Sequence, residues 1–109
     1  MKWVTDCWGN PGRNYNTKRS AFWRAIRGVV AGLGVADVAK ATWPCHLAWS
    51  NLYKAAPANG GNPSGPLRDA QLRGCIELLR LELRTYKPSR VLLLTGVSWA
   101  APFLGVFDG

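Results

Sequence analysis

Leu47-Ala48-Trp49-Ser50-Asn51-Leu52-Tyr53-Lys54 is the stretch whose reading decides the fold. By the period of two, Leu47, Trp49, Asn51 and Tyr53 share one face of an extended chain, while Ala48, Ser50 and Leu52 share the other. Both faces are mostly apolar, which predicts an interior strand of a covered sheet. The polar exception, Asn51, stands near the carboxyl end, where parallel sheets bind their ligands.

Downstream, Lys54 to Pro66 is a Gly/Pro/Asn loop, longer than the roughly 2–6 residues usual between a strand and a helix. Ser64-Gly65-Pro66 is a helix start, with a capping hydroxyl and a proline where its missing donor does no harm. Asp69 is expected in the first turn, where the helix dipole favours it. Leu72, Ile76, Leu79, Leu83 and Tyr86 recur at helical spacing and predict one buried stripe, with Arg73, Glu77, Arg80 and Arg84 on a polar face. Lys87-Pro88-Ser89 breaks the helix. Val91 to Thr95 then reads as a second strand, and Ser98 to Leu104 as the start of another helix that Pro102 interrupts.

Upstream, Phe22, Trp23, Ile26, Val29, Val30 and Leu33 form an apolar stripe of helical period, with Ser20 or Thr17 as cap and Gly34 as terminator. Arg19, Arg24 and Arg27 lie on the other face. Ala36 to Lys40 reads as another helical turn before Pro44. Residues 1 to 17 are rich in turn formers, with a short third strand at Lys2 to Cys7. The order strand, helix, strand predicts an α/β fold: a small three-layer α/β/α domain over residues 1–109, with a short, mainly parallel sheet of two strands and this third. Such a sheet leaves exposed edges, so a partner strand or a homo-oligomer that covers them is expected.

Hydrophobic residues make up 48% of the 109 and charged ones 18%, enough apolar content for one core. No apolar run approaches the roughly 20 residues of a membrane span, and Met1-Lys2-Trp3-Val4-Thr5-Asp6 is no signal peptide. No membrane association and a cytoplasmic location are therefore expected. Fourteen Lys and Arg against six Asp and Glu give a net charge of +8, which favours a polyanion, nucleic acid first and an acidic protein as the alternative. Cys7, Cys45 and Cys75 are unevenly spaced, and Cys45 and His46, being adjacent, would point to opposite faces of a strand. No metal site or cofactor is expected.

Phe22-Trp23-Arg24-Ala25-Ile26, Ser50-Asn51-Leu52-Tyr53-Lys54, Cys75 through Glu82-Leu83, and Lys87-Pro88-Ser89-Arg90-Val91-Leu92-Leu93-Leu94-Thr95-Gly96, in that order, resemble the core of the uracil-DNA glycosylase superfamily. The resemblance spans most of the chain on short patterns. In that superfamily an asparagine in an Asn-x-x-Lys context reads the uracil edge, and Asn51 with Lys54 matches it. A carboxamide suits that task because it offers a donor and an acceptor to an imide edge. Trp8-Gly9-Asn10-Pro11-Gly12 resembles the water-positioning motif of the mismatch-type branch. On that reading Asn10 orients the attacking water and Tyr15 stacks on the extruded base.

Arg13, Lys18, Arg19, Lys54 and Arg68 are the phosphate-contact candidates. The family's second motif, a His-Pro-Ser or Asn-Pro-Ser loop after a further strand, has no counterpart in order, so the domain reads as an incomplete core. Asn62-Pro63-Ser64-Gly65 has similar letters out of place and reads as loop and cap. His46 would lie about 16 Å from Asn51 along an extended strand, at about 3.3 Å per residue, and reads as structural. Two functions follow as expectations. One is a DNA-binding protein that recognises an extruded uracil-like base with Asn51 and hydrolyses its N-glycosidic bond. The other is a non-catalytic basic module binding nucleic acid or an acidic protein.

Overall fold

The structure, a computed structural model, describes residues 20–108. They form two compact units, one ending at Trp49 and the other beginning at Ser50. In the first, helix α1 spans Ala21–Gly32. Ser20 caps it, its hydroxyl accepting from Trp23 N at 3.4 Å. Its end is a Schellman motif: Gly34 N donates to Ala31 O at 3.1 Å and Val35 N reaches back to Val30 O at 3.1 Å. The motif needs a left-handed residue, and Gly34 supplies it at φ +65°.

Trp23, Ile26 and Val30 are buried with Trp43, and Val35, Ala36, Val38 and Leu47 pack against them. The ends of the expected stripe, Phe22 and Leu33, are exposed. Arg27, expected on a solvated face, instead donates from Nη2 to Val38 O at 3.0 Å and ties the following loop to the helix. That loop is not the expected helical turn. Asp37 accepts from Ala39 N at 3.0 Å through its side chain, an Asx turn that competes with helix. A 3₁₀ turn at Trp43–His46 follows, with Pro44 where no donor is needed, and it buries Trp43 and Pro44.

The second unit is built on α2, Gly65–Tyr86. Ser64 caps it, accepting from Leu67 N at 3.4 Å, and Lys87 ends it in a left-handed conformation at φ 46°. Asp69 falls just past the first turn, which holds no acidic residue. Cys75 and Leu79 are buried with Phe103, against which Leu52, Tyr53, Leu72, Ile76, Leu83 and Val106 pack. Tyr86, the last residue of the expected stripe, is exposed. Helix α3, Val97–Ala100, passes into a 3₁₀ segment at Ala101–Phe107. Pro102 sets that change, because it cannot donate back to Ser98.

The expected α/β fold is not what these residues form: among the described residues there is no strand and no sheet. The 47–54 run is divided between the units. Leu47 packs with the Trp43 cluster and Trp49 meets Trp23 edge-on at 5.9 Å, whereas Leu52 and Tyr53 pack on the Phe103 cluster. At its end the backbone is satisfied by a helix side chain instead of a ladder. Gln71 Oε1 accepts from Lys54 N at 3.0 Å and Ala55 N at 2.9 Å, and Gln71 Nε2 donates to Ala55 O at 2.9 Å.

The second expected strand fares no better. Val91, Leu92 and Leu94 are exposed and carry no pairing. A pair of strands is marginal without a third or a covering helix, and at residues 54 and 55 a helix side chain takes the backbone polar groups directly. Without sheet edges, the reason for an oligomer to cover them also falls away among the described residues. The third expected strand, Lys2 to Cys7, lies outside them.

Candidate functional site

The segment Ser50–Ala55 holds the expected base-reading residue and its neighbour. Lys54 Nζ donates to three acceptors: Ser50 Oγ at 2.5 Å, Glu82 Oε1 at 2.8 Å and the carbonyl of Asn51. An ammonium group has three donors, so all are engaged. Ser50 Oγ in turn donates to Glu82 Oε1 at 2.9 Å, closing a small network across to α2. The Lys54 and Glu82 side chains are 27% and 28% exposed, shielded enough for the ion pair to hold a geometry. Lys54, expected to contact phosphate, is thus turned inward and fixes the backbone at Asn51.

Asn51 is exposed, and its carboxamide makes no hydrogen bond among the described residues, only its carbonyl being held. One end of the segment is clamped by Lys54 and Glu82, the other by Gln71, whose Oε1 also accepts from the Cys75 thiol at 3.3 Å. The free amide therefore projects from a backbone fixed on both sides. That arrangement can offer a paired donor and acceptor to a ligand edge.

The loop that follows turns at Pro57, whose carbonyl accepts from Gly60 N at 3.0 Å. Gly60 and Gly61 both have positive φ, +90° and +89°, a backbone that L side chains rarely adopt. Pro63 is buried and Ser64 caps α2, so Asn62-Pro63-Ser64-Gly65 acts as the loop end and cap that its position suggested. Arg68, the remaining phosphate candidate, is half-buried. Its guanidinium lies 4.5 Å from the Trp99 ring centroid, and Nη1 donates to Pro63 O at 3.4 Å. Thr95-Gly96 leads into α3, with Trp99 N and Ala100 N donating to Gly96 O.

Asn10, Tyr15, Arg13, Lys18 and Arg19 lie outside the described residues. His46 is an exposed residue ending the 3₁₀ turn. Among the described residues no three His, Cys, Asp or Glu side chains gather as metal ligands, and no helix is long and apolar enough to cross a membrane. An open groove along α2 is lined by Asp69, Leu72, Arg73, Ile76, Glu77 and Arg80. It includes neither Asn51 nor its clamps.

Sequence reasoning missed Gln71, Glu82 and Trp99. A signal existed for the first two: on α2 they flank the apolar stripe, Gln71 four residues before Cys75 and Glu82 three after Leu79, so polar side chains were placed beside a buried face. Comparison with protein-family models, curated proteins and solved structures finds no match to the chain.

Proposed function

We propose that the protein binds nucleic acid and that Asn51 reads the edge of an unpaired, uracil-like base. The observation that carries this reading is the Asn51 side chain itself: an exposed carboxamide with no internal partner, on backbone held by Lys54. A surface asparagine on a mobile loop would lose much of its binding energy to ordering, whereas a clamped one has already lost that freedom. The net charge of +8 supports a polyanion as the larger ligand. The likeness of Ser50-Asn51-Leu52-Tyr53-Lys54 to the uracil-DNA glycosylase pattern supports the choice of base.

Hydrolysis of the glycosidic bond would rest on Asn10 and a positioned water, with Tyr15 stacking on the base. Base recognition does not require them. The test uses the full chain with single- and double-stranded DNA carrying either uracil or cytosine at one position, at several salt concentrations. Binding should fall with salt at a log–log slope of about −0.7 per phosphate contacted on single strands, and uracil should be preferred. A flat salt response would remove the nucleic-acid reading. Alkali cleavage at uracil after incubation would add hydrolysis to recognition, and intact strands would leave binding alone.

A further inference from the structure

Arg68 is a half-buried cation whose surroundings differ from those of a solvated surface charge. Its guanidinium stacks over Trp99, one donor goes to the Pro63 carbonyl, and no carboxylate pairs with it among the described residues. The ring beneath it is braced from the core. Tyr53 meets Trp99 edge-on at 5.4 Å and 90°, Tyr53 meets Phe103 at 5.2 Å and 83°, and Phe103 is fully buried. A guanidinium held over a supported ring, with one donor on the Pro63 carbonyl, keeps its other N–H donors available to a ligand. Such donors match two phosphate oxygens, and a planar fork fixed beforehand loses less freedom on binding than a lysine ammonium does.

We infer that Arg68 is a phosphate anchor for the nucleic acid and that Trp99 is the positioning residue that holds its guanidinium for that contact. This rests on the nucleic-acid reading above and adds to it a defined backbone contact. Tyr53 joins the two parts of the site, since it lies two residues after Asn51 and its ring supports Trp99. The occupant is a backbone phosphate of a single strand whose base is offered to Asn51.

The test is a set of salt titrations of single-stranded DNA binding by the full chain as wild type, Arg68→Gln, Arg68→Lys, Trp99→Leu and the double variant Trp99→Leu with Arg68→Gln. Circular dichroism melting checks that each is folded, and Trp99→Phe, which keeps a ring, replaces Trp99→Leu if that variant unfolds. Arg68→Gln should weaken binding to all sequences alike and reduce the log–log slope by about 0.7, the loss of one phosphate contact. Arg68→Lys should keep the slope yet bind several-fold more weakly. Trp99→Leu should also keep the slope and weaken binding, and the double variant should bind no more weakly than Arg68→Gln alone, because the ring acts through the guanidinium.

A merely structural Trp99 would give additive losses instead, and that result overturns its positioning role. An unchanged slope in Arg68→Gln with binding intact overturns the anchor while leaving nucleic-acid binding in place. Absence of binding by the wild type overturns both.

Discussion

At the scale of single residues, the site depends on how three side chains from α2 and its preceding segment treat one stretch of backbone. Asn51 is exposed and its amide is unused, so Asn51→Ala removes no internal hydrogen bond. Its stability should change by no more than about 0.5 kcal/mol in urea unfolding, while preference for uracil over cytosine, whose edge lacks the imide N3–H and O4, should fall by about 1–3 kcal/mol, the usual worth of a two-point base contact. Unfolding of this variant would show that the amide holds structure. Glu82→Gln tests the clamp. The ion pair with Lys54 is partly exposed, so its loss should cost less than about 1 kcal/mol of stability. Base discrimination should nevertheless drop, because a neutral amide no longer holds the Lys54 ammonium by charge in its place against the Asn51 carbonyl. Equal discrimination by wild type and Glu82→Gln would show that the clamp is not needed. Asn51 and Lys54 were legible in the sequence because a short spacing carries them. Gln71 and Glu82 were not, since they bond to Lys54 from 17 and 28 positions away.

At the scale of elements, the helices begin and end where local chemistry says they should. Ser20 and Ser64 cap, Pro66 follows the cap of α2, Gly34 closes α1, and Lys87-Pro88 closes α2. Each signal acts over three or four residues, within reach of a sequence reading. One of these ends is imperfect. Lys87 occupies a left-handed conformation that costs a residue with a Cβ about 1–2 kcal/mol. Lys87→Gly should therefore stabilise the protein, by about 0.5–1 kcal/mol once the greater freedom of the unfolded glycine is counted, and raise the thermal midpoint by a few degrees. A lowered midpoint would mean that the lysine side chain contributes more than its backbone strain removes. Strand predictions failed at this scale for a different reason. Leu47 to Lys54 and Val91 to Thr95 have strand-like composition, but pairing is a relation between segments, and β propensity says only that a residue suits a half-buried pleated surface.

At the scale of the whole molecule, each unit rests on a small core, one around Trp23 and Trp43 and one around Leu79 and Phe103. Phe103 is fully buried and supports Tyr53, so Phe103→Ala should destabilise by about 3–5 kcal/mol in chemical denaturation. It should also weaken nucleic-acid binding at temperatures where the protein remains folded, by loosening the ring that carries Arg68. A loss under about 1 kcal/mol would mean the cavity collapses and the aromatic chain is not braced from below. The sequence by itself determined the limits of α1 and α2, the basic charge, and the placing of Asn51 three residues before Lys54, all properties of neighbouring residues or of composition. Only the tertiary structure decided that the 47–54 run ends against Gln71 instead of a second strand, that Lys54 turns inward to Glu82, and that Arg68 lies on Trp99. Those outcomes join groups far apart in the chain, and which of several available partners satisfies a backbone or a charge depends on what folding brings within hydrogen-bonding reach.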